Sequence, residues 1–290
     1  MKKVVNFWNR HKKLHSWLAA DAALLGLYLA ARHDRELMNA FADSVTTPLK
    51  AALGRLCALT NASVMEALYA LAAVGALAYI VWSIAASFRA KGHRKDRAYS
   101  AALGAADICL TVYVLFCLMW GVNYWMDSFQ DRAGITAQPV TETELEAVTR
   151  YFAEQLTAAA DSVPRDENGL YAVPKVQILE ESTAAYGGVT ELYPFLRFRD
   201  TGVKAVLCSR LMSIMGFTGV YFSCIGESNV NVDSPACLLP STIAHELAHQ
   251  RGIAWEQECN FLGVLASVTS GLPDYAYSGW LLGFIHLGNA

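Results

Sequence analysis

STIAHELAHQRGIAWEQECNFLGVLAS, residues 241–267, is the stretch around which the rest of the chain is organised. It contains His245-Glu246-Leu247-Ala248-His249, the HExxH pattern of zinc metallopeptidases. Residues four apart on a helix share a face, so this spacing aims both imidazoles at one metal ion. Glu246 follows His245 directly and is in reach of a water on that metal, the position of a general base. The bland alternative is a solvated helix with chance spacing, and the residues after the motif argue against it.

A catalytic zinc takes three protein ligands and keeps one position open. Gly252 comes three residues after His249 and is suited to end the helix in a left-handed turn. The chain restarts at Trp255-Glu256-Gln257-Glu258-Cys259-Asn260-Phe261 with helical composition, and either Glu256 or Glu258 is a candidate third ligand. The metzincin subclass requires His or Asp three residues after the glycine, where Trp255 stands, so it is disfavoured.

Glu256-x-x-Cys259-Asn260 resembles the ExxA(D/N) helix of the gluzincins, which include the CAAX prenyl endopeptidases and the repressor-cleaving peptidases with an EAN-FA motif. That resemblance implies Glu256 as third ligand and Asn260 as the partner that steadies a ligating histidine, with Glu258 an outward or rim carboxylate. Cys259 stands where those families have Ala, and only six residues separate His249 from Glu256. Over more of the chain, GFTGVYFSCIGESNVNVDSPACLLPSTIAHELAHQRG with ECNFLGVLAS and YAYSGW is similar to a bacterial membrane family catalogued only as a domain of unknown function. The resemblance implies membrane helices followed by a zincin-like domain, with no substrate attached. It also implies a chain that continues beyond the YSG segment, whereas this one stops at Ala290.

Of the 290 residues, 54% are hydrophobic and 17% charged, an apolar balance concentrated in the first 126. A net charge of -3, with no basic-aromatic constellation and no phosphate-binding glycine loop, argues against nucleic acid as a partner. Residues 1–15 carry Lys2, Lys3, Arg10, Lys12 and Lys13 without an acid. Apolar runs at 17–31, 67–86 and 101–125 predict three transmembrane helices, the last ending in the aromatic cluster Trp120, Tyr124 and Trp125. Between the first two lies a polar connection with amphipathic pieces at 36–42 and 49–59. The basic N-terminus and the basic loop 89–97 are separated by two spans, so the positive-inside rule puts both in the cytoplasm and residues 127–290 outside. Asp21 and Asp107 interrupt the apolar runs near predicted span ends, where water or headgroups accommodate them, and they are assigned no role.

Beyond the membrane part, 141–160 predicts an amphipathic helix with a capping start, 161–169 a polar loop and 173–179 a strand. Residues 204–215 read as helix or buried strand, and 220–224 and 230–232 as strands. By analogy with zincins, the strand just before the HExxH helix is a substrate-binding edge, with Asn229 and Asn231 on one face. Tyr275-Ala-Tyr277-Ser-Gly279 reads as a turn. Tyr277 is a candidate oxyanion donor, Tyr275 an equal rival, and a packed aromatic the plain reading of either. His286 reads as an ordinary surface residue. Of seven cysteines, Cys224 and Cys237 are the pair placed to form a disulfide in an outward domain.

The resulting expectation is an α+β chain: three N-terminal transmembrane helices (1–126) and an extracytoplasmic zincin-like domain (127–290). His245, His249 and Glu256 hold zinc, Glu246 acts as base with Tyr277 assisting, the substrate is a peptide or protein, and the bilayer is the other partner. The alternative is a membrane sensor or scaffold whose zinc site binds peptide without cleaving it. Intramembrane cleavage is disfavoured, because Gln250, Arg251 and Glu256 flank the motif and no apolar run of membrane length surrounds it.

Overall fold

The computed structural model describes residues 8–290; Lys2 and Lys3 of the basic N-terminus lie outside them. The fold is mostly helical with one small sheet. Its first part runs α1 (Lys12–Ala31), α2 (Arg35–Phe41), a π-helical turn (Ala42–Thr46), α3 (Thr47–Cys57), α4 (Val64–Arg89) and α5 (Arg94–Met119). Among the described residues, α1, α4 and α5 are the three helices long and apolar enough to cross a membrane. Each starts before its apolar run: Ser63, for example, caps α4 by accepting from Glu66 N at 3.1 Å. The third helix ends at Met119, and the aromatic cluster expected inside it lies beyond its end, around a 3-10 turn at Gly121–Tyr124.

α5 packs between α1 and α4. Tyr79 Oη donates to Ala101 O at 2.8 Å, and Gly104 admits that ring, since a β-carbon there would lie 2.6 Å from Tyr79 Oη. Asp21 and Asp107 do not meet water at the ends. Both sit near the middle of their helices and are buried, and Asp21 accepts from Thr111 Oγ1 at 2.5 Å. The connection between α1 and α4 is helical where amphipathicity predicts it, with Asp34 capping α2 through Leu37 N.

The second part contains α6 (Phe129–Ala133), α7 (Glu142–Ala160), α8 (Lys175–Glu180), α9 (Val189–Leu192), β1 (Lys204–Ala205), α10 (Ser209–Met215), β2 (Gly219–Phe222), β3 (Glu227–Val230), α11 (Leu239–Gln250), α12 (Glu256–Thr269) and α13 (Pro273–Gly288). α7 starts at the capping box that the sequence signals, Thr141 with Glu144. The strand expected at 173–179 is instead α8: Pro174, at φ -62°, is the cap from which a helix begins, and this outweighs the β-branched content. Residues 204–215 divide into a two-residue strand and a helix. The turn expected at Tyr275–Gly279 is the first part of α13, which Pro273 opens in the first turn.

The sheet order is β1-β3-β2, with β1 parallel and β2 antiparallel to β3. The strand closest before the HExxH helix is therefore central, not an edge, and β2 is one of the sheet's two edges. The main core is built on α11, whose Ile243, Ala244, Leu247 and Ala248 are buried against Leu262 and Ala266 of α12, Tyr275 of α13, Tyr186 and Ile178. All seven cysteines are free. Cys224 lies in the β2–β3 connection near Tyr69, whereas Cys237 lies near Arg165 and Tyr171, so the expected pair is not formed.

One buried ion pair joins the two parts. Lys204 Nζ meets Glu227 Oε2 at 2.7 Å and also donates to the carbonyls of Cys57 and Ala62 at 2.8 and 3.0 Å. Glu227 in turn accepts from Ser63 Oγ, Val64 N and Met65 N at 3.0–3.3 Å. Burial alone would raise the Glu227 pKa, but the Lys204 hydrogen bond and charge, with these amides, bring it below its ordinary value. A depressed carboxylate stabilises the fold above its unfolded pKa of about 4.3, and this contribution is lost as pH falls through the lower folded pKa. Glu227→Gln strands a buried ammonium and is expected to cost about 3–5 kcal/mol. Thermal unfolding of the detergent-solubilised protein at neutral pH checks this, and an unchanged midpoint would contradict it.

Candidate functional site

α11 begins with Leu239 and Pro240 in its first turn and carries His245 and His249 on one face, ring centroids 4.9 Å apart and nearly perpendicular. The helix ends as expected at Gly252, which adopts φ 85° and whose N–H donates to His249 O at 3.0 Å. Asn123, in the turn after α5, donates from Nδ2 to Gly252 O at 2.8 Å. After three more residues α12 runs back along α11. Gly263 permits the close approach, since a β-carbon there would stand 3.2 Å from Ser241 O and 3.3 Å from His245 Cβ. Glu256, the first residue of α12, thereby reaches both imidazoles: Oε2 is 3.2 Å from His245 Nε2 and Oε1 is 3.6 Å from His249 Nε2.

The other ring nitrogens are already used. His245 Nδ1 is 2.9 Å from Asn260 Oδ1 and His249 Nδ1 is 2.8 Å from Ile253 O, both oxygens being acceptors, so each Nδ1 carries a proton; Nε2 of neutral His249 keeps its lone pair, while Nε2 of His245 donates to Glu256. Burial, helped by the charge of His245, lowers His249 to about 4 and keeps it neutral. Burial also pushes His245 down, but its hydrogen bond to Glu256 and the charges of Glu246 and Glu256 outweigh this and raise it. Glu256 is lowered, first by His245.

Two sets of donors are available to a cation. His245, His249 and Cys259 have ligand atoms within 4.8 Å of one another. Cys259 Sγ, however, stands 3.3 Å from the occupied Nδ1 of His249 and donates to Ile253 O at 3.4 Å. Burial, with the charges of Glu256, Glu246 and Glu258, raises this thiol far above its ordinary range, so it is a neutral group behind the ring. Both Nε2 atoms face Glu256, and the three residues line one cavity.

Glu246 lines the same cavity and is buried against Gly219 of β2. A β-carbon on Gly219 would come within 2.7 Å of Glu246 Cδ, so the strand passes this carboxylate only because glycine stands there. The Tyr221 backbone N–H supports one side of the carboxylate, while Oε2 has no partner. Burial, reinforced by Glu256, raises Glu246 to about 8 against the opposing effects of His245 and that amide. A cavity of about 590 Å³ lies over these groups. Gly216–Tyr221, Leu238, Thr242, Trp120 and His286 are among the other residues that line it.

Of the residues singled out in the sequence, His245, Glu246, His249, Glu256 and Asn260 come together. Glu258 does not sit at a rim: it is buried and accepts from Phe129 N and Gln130 N, both at 3.0 Å, capping α6. Tyr277 stacks on Tyr171 beneath Arg165, Tyr275 Oη donates to Ile178 O at 2.9 Å, and neither residue lines the cavity. Residues that sequence reasoning passed over are Trp120, whose ring lies 5.6 Å from His249 and 5.4 Å from Tyr221, His286, and Lys50. Lys50 is buried with Nζ 5.1 Å from the Trp120 ring centre, and burial lowers it to about 8. Trp120 had a signal, though it read as a membrane-interface residue; Lys50, in an ordinary amphipathic helix, had none.

No curated protein and no solved structure matches the chain. Residues 41–290, which include every residue of the site, match the family described as Protein of unknown function (DUF3810), and the chain belongs to that family.

Proposed function

We propose that this is a membrane-anchored zinc metallopeptidase of gluzincin type that hydrolyses peptide bonds on the extracytoplasmic side. The observation that carries the reading is the convergence of His245 Nε2, His249 Nε2 and the Glu256 carboxylate on one face, with both tautomers set from behind by Asn260 and Ile253. Two imidazoles, of which His245 would give up its Nε2 proton on binding, and one carboxylate are the donors that catalytic zinc takes, so the residues fit the ion. Zinc held there would supply Lewis acidity and bring the pKa of a bound water towards about 7.

The chain's own residues supply the rest. The charge of a cation held by the two histidines would oppose the burial that raises Glu246 and leave it ionised; as a carboxylate it takes the proton of the attacking water as a carbon–oxygen bond forms at the peptide carbonyl, then delivers it to the leaving amine as the carbon–nitrogen bond breaks. Its unpartnered Oε2 is the oxygen free for that exchange. The outer edge of β2 offers backbone groups to an extended substrate. Trp120 and Tyr221 cover His249 and limit water on that side.

The membrane part of the proposal rests on α1, α4 and α5 and on the distribution of lysine and arginine. Arg10, Lys12 and Lys13 flank the start of α1, and Arg89, Lys91, Arg94, Lys95 and Arg97 cluster between α4 and α5, which assigns both to the cytoplasm. The site, fastened to the far end of α5, then faces outward.

With zinc-loaded protein and a library of extended fluorogenic peptides, Glu246→Gln is expected to keep its metal and lose about 10²–10⁴-fold in turnover. Comparable turnover would remove the general-base role, while peptides that bind the wild type and are never cleaved would favour a non-catalytic scaffold. Gly219→Ala, which forces the carboxylate aside, is expected to lower kcat at least about tenfold with metal content unchanged. An unaltered kcat would show that Glu246 need not lie against β2.

A further inference from the structure

We propose that residues 207–217 are a lipid-inserting element, which lies in the outer interface of the bilayer beside α4 and holds one lip of the cavity at the membrane surface. The segment reads Leu-Cys-Ser-Arg-Leu-Met-Ser-Ile-Met-Gly-Phe, contains α10, and has Arg210 as its one charge. Its inner face is satisfied: Met212 is buried with Val206 and Met65. Its outer face is not. Leu207, Leu211, Ile214, Met215 and Phe217 are 51–88% exposed, a contiguous apolar surface of a kind that folded domains seldom leave to water.

The neighbouring contacts say what covers it. Glu66, in the first turn of α4, accepts from Leu207 N and Cys208 N at 2.8 and 2.9 Å. Tyr69, one turn further along, packs on Phe222 of β2 with ring centres 5.3 Å apart. The segment is thus pinned at the level of residues 65–69, within about 8 Å of the start of α4 at 1.5 Å per residue. From there α4 carries on outward-facing apolar side chains, Tyr69, Leu71 and Val74 among them. The exposed apolar residues of 207–217 thus begin beside the first turn of α4, next to the exposed apolar side chains of that helix. A short helix lying in the plane, apolar outward, with an arginine able to extend to phosphate, is an interfacial anchor.

The far side of the same strand is held similarly, since Trp120 at the end of α5 packs on Tyr221. β2 therefore lies between the outer ends of two spans. If the site is the peptidase proposed above, polypeptide reaches its edge from the membrane surface.

The test uses the full-length protein in phosphatidylcholine–phosphatidylglycerol nanodiscs doped with a phosphatidylcholine bearing a diazirine on its acyl chain. After illumination, peptide mapping is expected to find lipid adducts in 207–217 as well as in α4. Ile214→Asp is expected to lower the segment's adducts about tenfold, leaving those of α4 and the helical circular dichroism unchanged. Adducts in α4 with none in 207–217 of the wild type would overturn the proposal. So would their absence together with disulfide-linked dimers of Ile214→Cys, which would assign the face to a second copy. Because this readout does not involve metal or hydrolysis, it stands or falls separately from the peptidase reading.

Discussion

The end of the third long helix is fastened to the turn that closes the HExxH helix, and the geometry of the site depends on that fastening. Asn123 holds the Gly252 carbonyl, Trp120 lies against His249, Tyr124 meets Trp255, and Glu258 caps the short helix α6 just beyond. The turn from 250 to 255 determines where Glu256 enters α12. A turn clamped on one side by α5 and on the other by the close packing at Gly263 leaves Glu256 little choice but to face the two imidazoles. The short spacing from His249 to Glu256 is workable for this reason.

Around this clamp the buried charges are arranged unequally. Arg251 and Asp200 form a bidentate pair at 2.7 and 2.8 Å, and Lys204 and Glu227 another pair at 2.7 Å, so these charges are compensated and structural. Glu246 differs: it is buried, raised, and has one oxygen without a partner. An incompletely satisfied carboxylate that lines a cavity beside two histidines is costly to stability and useful to chemistry.

Much of the site was legible from local spacing. The i, i+4 histidines, the glycine stop and the helical restart each depend on a few neighbouring residues, and all appear where expected. Which of Glu256 and Glu258 meets the imidazoles depends on which side of α12 packs on α11, and the helix start at Trp255 turns Glu258 towards Phe129 and Glu256 towards the histidines. The edge strand was misplaced because pairing is non-local: β1, two residues long, takes the outer side of β3 and leaves β2 exposed to the cavity. Pro174 and Pro273 were sufficient to predict helix starts but were outweighed in reading by β-branched and aromatic neighbours. Trp120 and Lys50 come from segments distant in sequence, and only the packed chain brings them to His249.

The central claim is that two histidines and Glu256 form one metal site. Its most direct test is the metal content of the purified full-length protein beside His249→Ala and Glu256→Ala, measured by mass spectrometry after exchange into metal-free buffer. The account predicts about one zinc per chain in the wild type, loss in His249→Ala, and markedly weaker retention in Glu256→Ala with the fold intact. A folded wild type that takes up no metal from zinc-containing buffer would contradict it. Full retention in Glu256→Ala, lost only on replacing Cys259, would transfer the third ligand to the thiol.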